Sequence, residues 1–197
     1  MMPVIYVTTE SAPSKVIDSL RQKGLGEVLP HSLSFVDAFH ETVGLSTTDR
    51  PDTVKASSED LTSLGTAISK LRERTTEEFL LVFDSLTSPY LMGGSEILRF
   101  MKMSLLRLSA EGNSVLAVLD EGCSTEKDLV GMMSTADGIV EIELMNGSKT
   151  FKVIKHPKVE PTKIEVPMTW SPAIPYNIDA KTLAQHVMMS VGLTAGT

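Results

Sequence analysis

The sequence predicts an α/β fold: a three-layer domain on a mainly parallel sheet, then an antiparallel hairpin, an extended arm and a last helix. Three observations carry this. The runs Phe79–Phe83 (FLLVF) and Ser114–Leu119 (SVLAVL) are short and almost wholly apolar, the mark of strands buried on both faces of a parallel sheet. Stretches with helical spacing alternate with them. Each run ends in acid, Asp84 or Asp120-Glu121, at the C-terminal end of its strand, where open α/β sheets place ligands.

The elements follow in order. Val4–Thr8 (VIYVT) is β-rich and runs into Glu10, Ser11 and Pro13, a strand-to-helix turn. Ser14–Lys23 reads as a helix with Val16, Ile17 and Leu20 on one face, closed by Gly24. Leu33–Ala38 is a second strand, and the polar stretch His40–Ser57 reads as a surface excursion. Glu59–Arg74 places Leu61, Leu64, Ile68 and Leu71 at helical spacing. After the Phe79 strand comes a loop with Pro89, Gly93 and Gly94, then a helix over Ser95–Glu111. Ser95 is its expected cap, and Ile97, Leu98, Met101, Leu105 and Leu108 its buried stripe. Thr125–Ala136 is a short helix. Ile139–Leu144 and Lys149–Lys155 flank Asn146-Gly147, a strong hairpin signal, expected at the antiparallel edge of the sheet. Five prolines between Pro157 and Pro175 mark the arm, and Asp179–Val191 is an amphipathic helix presenting Leu183, Val187, Met188 and Val191. The expected division is a core over 1–156 and an arm plus helix over 157–197, packing on the same domain.

Composition narrows the function. At 197 residues, 42% hydrophobic and 22% charged, the chain suits one globular domain with a sizeable core. A net charge of −7 argues against a general nucleic-acid binder, which needs a basic footprint. The single cysteine, Cys123, allows no internal disulfide and suits a reducing compartment. The N-terminus lacks the basic start of a signal peptide, and no apolar run approaches the ~20 residues that span a bilayer. The expected location is the cytoplasm, with no membrane partner. His31, His40, His156 and His186 have no metal-site spacing, and no histidine near Cys123 activates its thiol.

YVTTES at Tyr6–Ser11, VFDSLTSPYL at Val82–Leu91, the helix RFMKMSLLRLSAEG, then SVLAVLDEG, TADGIVEIEL and TFKVIKH form an ordered set. In that order they resemble the RecA superfamily, and within it the KaiC-like (RadA/KaiC/GvpD-type) ATPases, over residues 1 to 156. The resemblance implies roles. Glu10 stands where the family carries the glutamate that activates the attacking water, although Ser11 replaces the second acid often found there. Asp84 matches the carboxylate that orients Mg²⁺ through water, with Ser85 or Thr87 ordering that water shell. Lys155 is the nearest match to the basic residue that reaches a neighbouring subunit's phosphates. ATP and Mg²⁺ are the cofactors of an intact site.

One part of that site is missing from the pattern. A P-loop needs a glycine-rich turn between strand and helix, followed directly by Lys and Ser/Thr, so that backbone N–H groups and a helix N-terminus cradle phosphate. Gly147-Ser148-Lys149-Thr150 lies in a hairpin, Gly24-Leu25-Gly26 follows a helix, and Gly93-Gly94-Ser95 has no Lys. In the family the P-loop strand precedes the one that here begins at Val4. Without it, Glu10 and Asp84 would meet a tetra-anionic nucleotide with two negative charges of their own. The expected function is therefore a non-catalytic RecA/KaiC-like protein acting as a regulatory or assembly subunit. It would be a homo-oligomer, or would assemble with a RecA/KaiC-like ATPase or regulator. The alternative is an ATPase whose P-loop comes from an upstream segment or another chain. The sheet is expected to show a gap or to close up, with Lys163–Val166 and the last helix covering the face left open.

Overall fold

A computed structural model describes residues 2–24, 33–46, 50–145, 148–158 and 160–167. The chain forms two compact units, Met1–Ala136 and Asp137–Thr197; each is taken by itself.

The first unit is built on five parallel strands, β1 (Val4–Thr8), β2 (Leu33–Asp37), β3 (Thr53–Lys55), β4 (Leu80–Asp84) and β5 (Ser114–Ala117). They lie in the order β3-β2-β1-β4-β5. The strands are hydrogen-bonded without interruption, so among the described residues the sheet is closed up and has no gap. Helices α1 (Pro13–Gln22), α2 (Phe39–Thr42), α3 (Leu61–Arg72), α4 (Thr87–Gly93), α5 (Glu96–Phe100), α6 (Leu106–Ala110) and α7 (Glu126–Thr135) fill the connections, and a π-helical turn, Met101–Leu105, joins α5 to α6. The expected α/β architecture is the one observed.

One buried cluster joins the strand residues Ile5, Val7, Val36, Leu81 and Phe83 to Leu64, Ala67, Ile68 and Leu71 of α3. Ile97, Phe100, Met101, Leu105 and Leu108 of the α5–α6 run belong to it as well, with Met132 of α7. The stripes read from helical spacing in α3 and α5–α6 are thus the core faces, except that Leu61 and Leu98 are only partly buried. Leu98 packs where α7 has Gly131; a Cβ there would sit 3.1 Å from a Leu98 methyl, so the leucine side chain would have to move by a few tenths of an ångström to admit one.

Several local expectations change. Ser95 precedes α5 but makes no capping bond through its side chain, because its backbone is already helical (φ −64°, ψ −11°) rather than extended as a capping residue must be. The stretch read as a surface excursion contains α2 and β3. Three residues, two of them polar, give no alternation by which β3 could be recognised. The loop expected after β4 is the short helix α4, with Pro89 in its first turn, where a missing N–H costs nothing. The apolar run at Ser114 is not covered on both sides. β5 is the last strand of the sheet, and Leu116 is 55% exposed.

The second unit is a three-stranded antiparallel sheet of β6 (Ile139–Met145), β7 (Ser148–Lys155) and β8 (Thr162–Pro167), in the order β6-β7-β8. Met145 pairs with Ser148; the turn expected at Asn146-Gly147 lies outside the described residues. The hairpin is therefore part of a separate sheet and not an edge of the parallel one. Lys163–Val166, read as arm, is strand β8 instead, in register with β7 from Val153↔Thr162 to Ser148↔Pro167. Pro161 and Pro167 bracket it at its ends, where proline's missing N–H is tolerated. The helix expected over Asp179–Val191 lies outside the described residues.

Candidate functional site

Parallel register brings the strand ends together. Thr8 of β1 pairs with Asp37 of β2 on one side and with Asp84 of β4 on the other, so two acids and a hydroxyl form one row at the C-terminal edge of the sheet. The loops after β1, β4 and β5 leave from that edge. They carry Thr9 and Glu10, then Ser85 with Thr87 and Ser88 following at the start of α4, and Asp120.

Four of the residues singled out from sequence, Glu10, Asp84, Ser85 and Thr87, meet here, and each has a defined partner. Glu10 accepts a hydrogen bond through Oε1 from the Ser88 hydroxyl at 2.6 Å and a longer one from Ser85 at 3.3 Å. Asp84 accepts from the Tyr6 hydroxyl at 2.5 Å. Thr87 turns away from both: its hydroxyl donates to Asp120 Oδ2 at 2.9 Å and accepts from the Asp120 N–H at 3.0 Å. Beneath them Thr9, 2% exposed, ties β1 to the β4 loop. Its Oγ1 accepts from the Ser85 N–H at 2.8 Å and donates to the Ser85 carbonyl at 2.9 Å. The alternative acceptor for that proton, Glu10 Oε1, is 3.4 Å away, so the carbonyl wins. The Asp84–Ser85 peptide bond is cis. Lys155 lies on β7 of the second unit, in register with Ile139.

The sequence reading missed Tyr6, Thr9 and Ser88 as members of this network and named Asp120 only as a strand-end acid. Their partners are distant in the chain, and only the parallel register puts β1 beside β4. A second set was missed as well. Asp37, 2% exposed, accepts from the His40 N–H at 3.2 Å and lies 2.6 Å from His40 Nδ1. These two sit beside a cleft of about 240 Å³ lined by Asp37, Glu41, Leu45, Ser46 and Lys55. Another cleft, about 490 Å³, is at the opposite end of the sheet, lined by Arg72, Glu77, Phe79, Glu111 and Asn113, away from these groups.

Burial raises the Tyr6 phenol well above its usual pKa, and the hydrogen bond to the Asp84 carboxylate adds to the effect. The folded state therefore holds the Tyr6 proton when an unfolded tyrosine, with a pKa near about 10, has begun to lose it. With more protons bound in the folded state, stability falls as pH rises above about 10. The denaturation midpoint should drop between about pH 9 and pH 11 more steeply in the native chain than in Tyr6→Phe. Parallel curves for the two proteins would show that the phenol is not held by its surroundings.

The donor set decides what the site can take. Glu10, Asp84 and Asp120 offer carboxylate oxygens, and the hydroxyls of Ser85, Ser88 and Thr87 are aimed at those oxygens. Such a set attracts donors and cations and repels phosphate oxygens. Among the described residues, no group of three or more His, Cys, Asp or Glu side chains is placed to hold a metal ion. Glu10, Asp84, Asp120, Ser85, Thr87 and Ser88 include no cationic side chain to face a phosphate.

No family model and no curated protein matches the chain. Solved structures do. The chain is similar to the uncharacterized protein PH0321 from Pyrococcus horikoshii, determined in complex with an unknown peptide. The identity is 19% and the TM-score 0.61, over 84% of this chain and 80% of that one. It is also similar to the flagellar accessory protein FlaH from Methanocaldococcus jannaschii, at 14% identity and a TM-score of 0.58, over 85% of this chain and 73% of that one. At these identities the likeness shows the fold alone, and that fold is RecA-like.

Proposed function

We propose that this chain is a non-catalytic RecA/KaiC-like protein that acts as a regulatory or assembly subunit. It would lack the P-loop unit of its relatives and work in the cytoplasm, in a homo-oligomer or beside a RecA/KaiC-like ATPase. The observation that carries the reading is the closed hydrogen-bond network at the strand ends. Glu10 and Asp84, at the positions that resemble the family's catalytic and Mg²⁺-orienting acids, accept from Ser88 and Tyr6 at 2.6 Å and 2.5 Å. A carboxylate that must activate water or orient a metal's hydration shell needs its oxygens turned to the ligand. Here short hydrogen bonds to neighbouring hydroxyls occupy one oxygen of each and fix its position. The likeness to FlaH, itself described as an accessory protein, supports the same reading.

Calorimetric titration with Mg-ATP tests it. The expected result is no binding heat up to about 1 mM nucleotide, a bound of about −4 kcal/mol on any affinity. Micromolar binding that disappears in Asp84→Asn would overturn the proposal. It would point to the other reading, a working nucleotide site completed by a P-loop from elsewhere.

A further inference from the structure

Asp37 is a carboxylate buried where few donors reach it. It is 2% exposed at the end of β2. Among the described residues only His40 donates to it, through its N–H to Oδ1 at 3.2 Å and from Nδ1 to Oδ2 at 2.6 Å. A carboxylate has about four acceptor positions, so about two stay unfilled, and a buried acceptor left unfilled is costly. Asp37 also lines a cleft of about 240 Å³ whose other walls are Glu41, Leu45, Ser46 and Lys55, all of the first unit. A turn into α2 accounts for the bond from the His40 N–H, but not for a buried acid in the wall of a cleft.

The place of this acid in the sheet says what it suits. Parallel strands in the order β3-β2-β1-β4-β5 repeat the order of dinucleotide-binding sheets, where an acid after the second strand accepts from a ribose hydroxyl. Thr8 of β1 lies opposite Asp37, so the acid stands next to the first strand as it does there. The phosphate half of such a site has no counterpart here. Those sheets carry glycines after the first strand and a helix N-terminus with free N–H groups. This chain has Thr9-Glu10-Ser11-Ala12, without glycine, and then Pro13, which has no N–H, at the start of α1. A phosphate on the ribose would meet the Glu10 carboxylate instead of a donor.

We propose that this cleft binds a ribonucleoside without phosphates, with Asp37 accepting from the vicinal hydroxyls of its ribose. At about 240 Å³ the cleft is smaller than pockets for drug-sized ligands, about 300–1,000 Å³, and too small for a dinucleotide. Its two carboxylates, Asp37 and Glu41, outnumber the one ammonium, Lys55, so it has no net attraction for phosphate. Glu41 and Ser46 add acceptors for hydroxyls, and Leu45 gives the base an apolar wall. The site does not rest on the chain being a non-catalytic subunit, because it uses neither Glu10 nor Asp84.

Titration of the full-length chain with adenosine, followed by calorimetry and by NMR shifts of backbone amides, tests the proposal. The expected dissociation constant is on the order of 0.1 mM, as a ligand of that size gives. 2′-Deoxyadenosine should bind at least about tenfold more weakly, because it leaves a buried acceptor unpaired. The shifts should centre on residues 37–46 and Lys55 and leave Glu10 and Ser88 unmoved. Asp37→Asn, close in shape, should bind adenosine at least about tenfold more weakly than the native chain. The ribose preference of the unsubstituted chain needs no variant, and it decides the matter if Asp37→Asn does not fold. No binding at about 5 mM adenosine, equal affinity for the two nucleosides, shifts centred on Glu10 and Ser88, or unchanged affinity in a folded Asp37→Asn overturns the proposal.

Discussion

Phe83→Ala should destabilise the protein by about 3–5 kcal/mol, a large share of the 5–15 kcal/mol that holds a typical domain together. Phe83 is fully buried on β4, in register with Val7 on one side and Ala117 on the other. Its ring meets Phe100 of α5 edge-on, with centroids 5.9 Å apart. That geometry adds about 0.5–1.5 kcal/mol to what area alone provides. Truncation removes the side chain that links the middle of the sheet to the helical layer, and strands on both sides prevent the site from collapsing to fill the cavity. Urea denaturation followed by far-ultraviolet circular dichroism would measure the loss. A cost below about 1.5 kcal/mol would mean that the sheet and α5 are not packed as described.

Thr9→Val should cost about 2–4 kcal/mol although it changes almost no volume. The Thr9 hydroxyl is the partner of both the N–H and the carbonyl of Ser85, at 2.8 Å and 2.9 Å, in a region from which water is excluded. Valine fills the same space and leaves both backbone groups buried and unpaired, at about 1–3 kcal/mol each, offset in part by the added methyl. Thr9→Ser keeps the hydroxyl and should recover all but about 1 kcal/mol of the loss. The contrast between the two variants is the test. If valine were as stable as threonine, the hydroxyl would not be holding the β4 loop to β1, and the network that positions Glu10 would lose its anchor.

These two sites also show what the sequence makes legible. Phe83 could be picked out in advance because an apolar run that stops at an acid has few interpretations, and the stripes of α3 and α5–α6 were visible for the same reason. Thr9 could not. A threonine beside a glutamate in a loop looks like any solvated turn, and its importance comes from a residue 76 positions away that only parallel pairing brings near. The candidate acids Glu10 and Asp84 were identified from strand-end position and family likeness, and Ser85 and Thr87 with them, but the Ser88 and Tyr6 hydroxyls that make the short bonds to those acids were not. Tyr6 looked like one more β-forming residue in a strand. β3 and β8 escaped because one is too short to alternate and the other is flanked by prolines that usually argue for coil. That β5 lies at the edge of its sheet is likewise invisible along the chain, since a covered strand and an uncovered one can have the same apolar sequence.

That last feature bears on how the protein behaves when many copies are present. Most edge strands are defended by charge, proline or a bulge. β5 and the residues after it, Ser114–Leu119, carry neither charge nor proline, and Leu116 and Val118 stand 55% and 39% exposed. A six-residue neutral, apolar segment that includes a sheet-edge strand is the kind on which amyloid-like stacking can start. Asp120 and Glu121, directly after this apolar run, add the charge that such segments commonly carry at their flanks against misassembly.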